Sequence, residues 1–504
     1  MGYLEEMIQM SKLTQQQLEA HLWESANILR GSIDSSDYKS YIFGLLFLKR
    51  INDVFEEQQE ALVGKYGDKI GSQLKDDPDQ YQFYVPKKAR WQELRSKGQD
   101  IGTIINVAFE SLENDNTTLE GVLTTIDFNR EVLTDDILQK LLQHFSLINL
   151  RNSNLSEPDI LGRAYEYLIK MFADDAGKKG GEFYTPTKVV ELLVSLLKPQ
   201  EGMRVYDPTC GSGGMLIQSV DYVKKHGGNP YSISLFGQEK NLNTWAISKM
   251  NMLLHDLPDH RIEKGDTIRT PKLLEDGELM LFDRVIANPP FSLKNWGREE
   301  AENDTFGRFQ YGLPPKGAGD LAFIQHMVAS LNSKGMAGVV MPHGVLFRGG
   351  TEGKIRQGLL QNDLLEAVIG LPSNLFYGTG IPASILIFSR DKNEGSKGKV
   401  LIIAAEQEYQ EGKNQNILRE EDVAKIVSAF KKYEDIEKYA RVVSLEEIKE
   451  NDYNLNISRY IDKSIEAEPV DINVVLSEIQ ELENKRNETK ERLNIYLQEL
   501  GFGE

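Results

Sequence analysis

The sequence predicts an α/β protein in which a doubly wound sheet follows a helical N-terminal region and precedes a helical C-terminal extension. Up to about residue 172, apolar residues recur at helical spacing. From about residue 179, short apolar runs alternate with helical stretches and Gly/Pro turns, which is typical of parallel strands joined by crossover helices. From about residue 470 the chain is polar, with sparse apolar residues. We therefore expect a helical domain over 1–172, an α/β domain over 173–465 and a helical extension over 466–504.

The helical region shows its periodicity in two stretches, Leu18–Leu29 and Tyr41–Val54. The polar segment Gly31–Ser36 separates them and offers N-cap residues to the second. The segment Gly64–Pro86 is polar and contains Gly, Asp and Pro, which favours a loop. Periodicity alone indicates a helical accessory domain.

Six apolar runs are predicted strands of the sheet, namely Met203–Asp207, Leu235–Glu239, Phe282–Asn288, Met336–Pro342, Leu365–Leu371 and Ser384–Ser389. Sheets of this kind bind ligands at the carboxyl ends of their strands. We therefore look for reactive side chains where these runs end.

Composition restricts the classes of function. The chain has 504 residues, 40% of them hydrophobic, and Cys210 is its only cysteine, which excludes an internal disulfide and a Cys-rich zinc site. There is no apolar run of membrane-spanning length, and Met1–Met10 lacks the basic start and apolar middle of a signal peptide. We expect a cytoplasmic protein.

The net charge of −19 argues against unassisted binding to DNA. Duplex DNA is a dense polyanion, and its non-specific binding depends on Lys and Arg side chains that neutralise phosphates. Either the substrate is not nucleic acid, or a more basic partner provides the affinity.

A glycine-rich turn follows the first predicted strand, at Asp207-Pro208-Thr209-Cys210-Gly211-Ser212-Gly213-Gly214. Glycines let the backbone approach a ligand closely, and the helix that follows presents unpaired N–H groups. The same pattern also fits a tight strand-to-helix turn without a ligand.

Glu239 ends the next strand, where a carboxylate accepts hydrogen bonds from ribose hydroxyls. Asp266, followed by Thr267, is a third strand-end acid and a candidate acceptor for an adenine amine; singly, each acid also fits a helix cap or a solvated charge.

The motif Asn288-Pro289-Pro290-Phe291 indicates the type of reaction. Two prolines remove two N–H donors and hold an extended backbone, so the strand end offers the Asn288 side-chain oxygen and the Pro289 carbonyl as acceptors. Acceptors on both hydrogens of an aryl amine favour the tetrahedral nitrogen that attacks a methyl group. Phe291 can stack on a planar base. This is catalysis by position and electrostatics, without a strong general base.

The motif Glu182-Phe183-Tyr184-Thr185-Pro186-Thr187 precedes the sheet. Pro186 suits a first helical turn with Thr185 as its cap, and the aromatic faces of Phe183 and Tyr184 suit a cationic sulfonium. Capping alone is the simpler interpretation. The histidines show no metal-binding spacing, and we expect no metal.

Together these motifs resemble the gamma-type amino-methyltransferases of DNA, and more closely the modification subunit of type I restriction–modification enzymes. The similarity includes Leu22–Gly31 and Phe47–Lys49 near the start, Met341–Phe347 and Leu371–Phe376 after later strands, and Asp452–Tyr460 near the end. It implies a Rossmann-like sheet, the cofactor S-adenosylmethionine and methylation of adenine N6 in DNA. The cofactor would be held by Glu182–Thr187, Asp207, Gly211–Gly214, Glu239, Asp266 and Thr267, with Asn288–Phe291 catalytic.

The resemblance also implies partners that resolve the charge problem. Two copies of such a chain are expected to join one specificity subunit, which reads the DNA sequence, and a restriction subunit. The C-terminal helix, with apolar positions at Leu476–Leu482 and Leu493–Leu500, is the expected docking element. It also fits a solvated helix packed on its own domain. Two other functions remain open: amine methylation of RNA or protein glutamine, and an inactive assembly module.

Overall fold

The computed structural model describes residues 12–33, 35–157, 159–176, 185–257, 259–376, 380–412, 415–462, 472–500 and 502. The chain divides into two compact units, Met1–Ile461 and Asp462–Glu504.

The first unit begins with a helical region, as the sequence predicts. Its helices are α1 (Gln15–Leu29), α2 (Ser35–Leu74), α3 (Trp91–Arg95), α4 (Ile101–Asp115), α5 (Asp135–Phe145) and α6 (Ile160–Ala176). Thr14 caps α1 through a capping box with Gln17. The prediction of a loop over Gly64–Pro86 is wrong for its first part, up to Leu74. Helix α2 continues to that residue and is interrupted only at Gly67, where φ is 74°.

The α/β region alternates strands and helices. In chain order these are α7 (Thr187–Leu197), β1 (Arg204–Asp207), α8 (Gly214–Lys225), β2 (Ser234–Glu239), α9 (Leu242–Leu254), β3 (His260–Lys264), the hairpin β4 (Leu274–Glu275) and β5 (Glu278–Leu279), β6 (Phe282–Ala287), α10 (Arg298–Ala301), α11 (Asp320–Ala329), β7 (Leu331–Pro342), α12 (Gly350–Gln361), β8 (Leu365–Gly370), β9 (Ala383–Ser389), β10 (Lys399–Ala404), α13 (Glu420–Lys432), β11 (Ala440–Ser444) and α14 (Leu445–Glu450).

Nine strands form one sheet in the order β11-β10-β8-β9-β7-β6-β1-β2-β3. The α/β class is confirmed, and all six predicted strands are present. The sheet is mixed rather than wholly parallel, because β9 is antiparallel to β7 and β8, and β11 is antiparallel to β10. Strand β9 is buried throughout, so its apolar run gives no sign of its direction.

The sheet separates two hydrophobic cores. Alternate residues of one strand enter opposite cores, since successive side chains point to opposite faces. Ile286 of β6 joins the core that continues into α1–α9, whereas Val285 joins the core under α11 and α12. The N-terminal helices thus lie on one side of the sheet, where α2 and α6 pack against α9.

The second unit contains α15 (Ile472–Glu499). Most of its side chains are exposed, including the large apolar residues Val475, Leu476, Ile479, Leu482, Leu493, Ile495 and Tyr496, and Leu500 follows directly. Within the described parts of the chain, no helix combines the length and apolar character that crossing a membrane requires.

Candidate functional site

The predicted site residues gather at the carboxyl ends of adjacent strands. β1 lies between β2 and β6, with Asp207 opposite Gly237 of β2 and Tyr206 opposite Val285 of β6. The strand order reverses here, which is where such sheets bind ligands. A cavity of about 720 Å³ opens at this edge. Its volume is in the range of cofactor pockets.

The glycine-rich turn is shaped by two glycines with positive φ. Gly211 has φ 54° and Gly213 has φ 83°. A Cβ on Gly213 would collide with Met252 and Ser248 of α9, so both conformation and packing require glycine there. Helix α8 begins at the next residue, Gly214, and its N-terminus faces the cavity. Backbone N–H groups and a positive helix end are thereby presented to a ligand.

Asp207 and Glu239 are two buried carboxyl groups beside this turn. Glu239 accepts hydrogen bonds from Gly211 N (3.0 Å) and Asn241 N (2.7 Å), one on each oxygen. Burial raises the pKa of Glu239, and these two N–H groups partly offset the rise. Burial also raises the pKa of Asp207 to about 8, although Thr209 N donates to it at 2.9 Å. Both groups line the cavity.

Asp266 and Thr267 follow β3 and also line the cavity. Asp266 Oδ1 accepts from Ile268 N and Arg269 N, and its Oδ2 pairs with Lys240 Nζ at 2.9 Å. Asp266 therefore caps its own turn, which was the simpler sequence interpretation; its role toward an adenine amine stays a prediction. The Thr267 hydroxyl donates to the Pro208 carbonyl at 2.6 Å and ties this turn to the glycine-rich one.

Asn288 follows β6, with its amide in a defined orientation. Its Nδ2 donates to Thr185 Oγ1 at 3.0 Å. Its Oδ1 is buried, and among the described residues no donor lies within hydrogen-bonding distance of it. Since a buried acceptor without a donor is unfavourable, the arrangement suits a ligand that brings an N–H group. The expectation that Thr185 caps α7 is wrong, because Pro186 occupies the N-cap position without a side-chain cap.

Phe291 lies beside a second aromatic ring. Phe376, in the loop between β8 and β9, is edge-on to it with 5.8 Å between ring centroids. Pro289 is buried, and Pro290 is exposed at the cavity. Apolar surfaces of this kind suit a planar base.

Most of the sequence-predicted residues that the structure describes meet in this cavity, but its lining does not include Pro186, Gly213, Pro289 or Phe291. Glu182, Phe183 and Tyr184 lie outside the described residues. Sequence reasoning missed the N-terminal contribution, since α1 and α6 supply Gln15, Glu19, Arg163, Glu166, Tyr167 and Lys170 to the cavity wall. Glu166 and Lys170, one helical turn apart just before the motif at 182–187, were the available signal.

The Gly/Pro-rich loop Gly307–Gly319 is packed against neighbouring turns of the same α/β region. Arg308 is buried, pairs with Asp304 and donates to the Ile268 carbonyl at 2.9 Å. Trp296 Nε1 donates to the Pro315 carbonyl at 2.9 Å.

A mixed sheet with a glycine-rich turn after β1, an acid after β2 and an Asn-Pro-Pro-Phe motif after β6 defines the class of S-adenosylmethionine-dependent amino-methyltransferases. The comparisons with known proteins agree. Residues 156–469 match the family model for N-6 DNA methylases, and residues 18–145 match that for the HsdM N-terminal domain.

Relatives match over nearly the whole chain. The Type I restriction enzyme MjaVII methylase subunit of Methanocaldococcus jannaschii is 34% identical, over 97% of this chain and 85% of that protein. The MpnII methylase subunit of Mycoplasma pneumoniae is 30% identical, over 96% of each chain. The solved type I methyltransferase subunit from Streptococcus thermophilus is 32% identical, with a TM-score of 0.79 over 89% of this chain and 100% of that one.

The chain belongs to the N-6 DNA methylase family, among the type I restriction enzyme methylase subunits. It is a site-specific methyltransferase that uses S-adenosylmethionine and modifies adenine N6 in DNA, in the system that protects host DNA. The sequence prediction of fold, activity and cofactor is confirmed.

Proposed function

We propose that the site residues divide the reaction between two halves of the cavity. Asp207, Gly211–Gly214, Glu239, Asp266 and Thr267 hold the cofactor together with Glu182–Thr187, and Asn288–Phe291 bind the adenine. The observation that carries the proposal is the Oδ1 of Asn288 at the edge of the cavity, which has no donor among the described residues.

The cofactor half fits S-adenosylmethionine by its chemistry. Each Glu239 oxygen already accepts one backbone N–H and retains lone pairs for the ribose hydroxyls. The glycine-rich turn brings backbone N–H groups and the start of α8 toward the ligand. When bound, the cofactor supplies an electrophilic methyl group on its sulfonium.

Asn288 binds the amine that receives the methyl group. Thr185 fixes the Nδ2 side of the amide, so Oδ1 is directed to a substrate hydrogen. The Pro289 carbonyl accepts the other hydrogen. These acceptors draw electron density onto N6. Methyl transfer would form the N6–C bond, break the S–C bond of the sulfonium to leave a neutral thioether, and release one N6 proton to solvent. The rate gain comes from position and electrostatics.

An adenine inside a duplex cannot reach this strand end, so the base is flipped out of the helix. Phe291 stacks on the flipped base, and Phe376 supplies the neighbouring apolar surface. The loop Gly307–Gly319 lies close to this half and is a candidate DNA contact.

The domains are a helical region over 1–172, the catalytic domain over 173–465 and the docking helix over 466–504. Two copies of the chain join one specificity subunit, and a restriction subunit adds to that complex, in the cytoplasm. The exposed apolar residues of α15 support docking, since they offer a surface to a partner helix. The net charge of −19 supports the division of labour, because the partner then provides the affinity for DNA.

The partner proposal is tested by measuring DNA affinity with and without the specificity subunit. The isolated chain should bind duplex weakly and without sequence preference, and the complex should bind tightly. Sequence-specific nanomolar binding by the chain alone at physiological salt would contradict the proposal.

Docking is tested by charge substitutions on α15. Ile479→Lys places a charge on the apolar surface and should block assembly in a pull-down while cofactor affinity is retained. Glu488→Lys, in the polar middle of the same helix, is the matched control and should assemble normally. Equal assembly by both variants would exclude this helix as the docking element.

A further inference from the structure

The turn that follows the Asn-Pro-Pro-Phe motif is held by a buried acid from another element. Ser292, directly after Phe291, has φ 51°, a left-handed conformation that is unfavourable for a residue with a side chain. Its backbone N–H donates to Asp320 Oδ1 at 2.7 Å. Asp320 is the first residue of α11, and its side chain is 1% exposed.

A second hydrogen bond joins the same two segments. Gly319 N donates to the Leu293 carbonyl at 3.1 Å. The turn and the start of α11 are therefore connected at two adjacent points, one through a side chain and one through the backbone. Phe323, one turn further along α11, lines the cavity itself. The position of the turn is thus tied to the wall of the active site.

The charges around Asp320 form a small cluster. Arg348 Nη1 lies 3.5 Å from Asp320 Oδ2 and 3.5 Å from Glu352 Oε1. Burial raises the pKa of Asp320, while the Ser292 N–H group and Arg348 favour its ionised form. The N-terminus of α11 also favours a negative charge at this position. A bond of 2.7 Å is the length of a charge-assisted hydrogen bond.

We propose that Asp320 is a positioning residue for the base-binding turn. By accepting the Ser292 N–H it fixes the position of the Phe291 ring, and Arg348 keeps the Asp320 carboxylate in place. Asp320 does not touch the base; it acts through Phe291. The inference rests on the proposed role of Phe291 in binding the flipped adenine.

The position of the ring is read directly by placing 4-fluorophenylalanine at residue 291 and recording its fluorine NMR line in the full chain. Asp320→Ala and Arg348→Gln should each shift or split the line. Asp363→Ala is the matched control. Asp363 also pairs with a cation (Lys392 Nζ, 2.6 Å) and accepts a backbone N–H (Gly398 N, 2.8 Å), but it precedes β8, at the end of the strands opposite to the cavity. This control variant should leave the fluorine line unchanged.

The consequence for the reaction is measured in the complex with the specificity subunit. Asp320→Ala and Arg348→Gln should raise KM for DNA about tenfold, the size of a lost aromatic contact, with a smaller change in kcat. Asp320→Asn, which keeps an acceptor oxygen, should restore part of the loss. Affinity for S-adenosylhomocysteine in calorimetry should stay at the wild-type value, since a general loss of structure would lower it.

An unchanged fluorine line in a folded Asp320→Ala protein, or the same change in Asp363→Ala, overturns the positioning role. If Asp320→Ala does not fold, Arg348→Gln still tests it, because Arg348 is 38% exposed. A moved fluorine line with unaltered KM and kcat supports the positioning role and refutes the proposed function of Phe291.

Discussion

The cofactor half and the base half of the site differ in how completely their polar groups are satisfied. Glu239 and Asp266 each accept two backbone N–H groups, and Thr267 donates to a carbonyl across the site. In the base half, Asn288 is fixed on its Nδ2 side only, and its Oδ1 has no donor among the described residues. In the cofactor half the acids are held by the protein's own N–H groups, and the buried Thr209 Oγ1 is left without a partner among the described residues; in the base half the acceptor left open is Asn288 Oδ1 itself.

The difference teaches how each half uses its binding energy. Groups held before a ligand arrives lose little freedom on binding, which favours affinity. An acceptor without a partner gains most when the substrate brings its hydrogens, and most of all as charge develops on N6. Substitutions in the cofactor half should therefore lower cofactor affinity, and substitutions in the base half should lower methyl transfer or base binding.

The largest expected effect is that of Asn288→Ala. Loss of the acceptor should lower kcat for methyl transfer by about 100- to 1,000-fold, the range found when one electrostatic group of an active site is removed. Incorporation of tritiated methyl groups into DNA measures it, with N6-methyladenine identified by mass spectrometry. Cofactor affinity and complex assembly serve as controls and should be retained. Near-normal methylation by this variant would refute the mechanism.

The next effect concerns Glu239→Ala. It removes an acceptor for the ribose and should weaken cofactor binding by about 1–3 kcal/mol. Titration calorimetry on the isolated chain measures this. Glu263→Ala is the control, because Glu263 lies on β3, pairs with Arg261 and does not line the cavity. Unchanged affinity in folded Glu239→Ala would remove Glu239 from the site.

Phe291→Ala should have a smaller effect and should act on the base rather than the cofactor. Loss of the ring should weaken retention of the flipped adenine by about 0.5–1.5 kcal/mol beyond the area lost. Fluorescence of 2-aminopurine at the target position reports flipping separately from chemistry. Phe291→Trp keeps an aromatic face and should retain more activity than Phe291→Ala. If the two variants behaved alike, stacking would not be the role of this ring.

The remaining prediction concerns a proton in the cofactor half and is read as a pH dependence of stability, not as a loss of activity. The pKa of Asp207 is raised to about 8, above that of an unfolded aspartate, so the folded state binds this proton more tightly. Its contribution to stability is fully present below the unfolded pKa of about 3.9 and is lost as pH rises through the folded value. The melting temperature of the ligand-free chain should fall with pH more steeply than that of Asp207→Asn. Parallel curves would contradict the raised pKa.

The sequence predicts the parts of the site that depend on local chain order. The turn at Gly211–Gly214, the acid Glu239 and the Asn288 motif each lie at the carboxyl end of a predicted strand, so parallel pairing brings them together. The sequence could not predict partners from distant segments. Thr185 binds Asn288 across 103 positions and Asp320 reaches Ser292 across 28, and neither contact has a periodic or spacing signal. Strand β3 was missed because only one of its five residues is buried.

The helices α1 and α6 form part of the cavity wall, and this has a thermodynamic consequence. A ligand that fills the cavity contacts side chains from the N-terminal helices and from the sheet at once. Its binding energy is therefore shared by segments that are far apart in sequence. At a ligand concentration 100 times Kd the folded state gains about 2.7 kcal/mol, and both segments gain it together. Resistance of the N-terminal helices to proteolysis thus becomes a measure of cofactor occupancy, although these helices perform no chemistry.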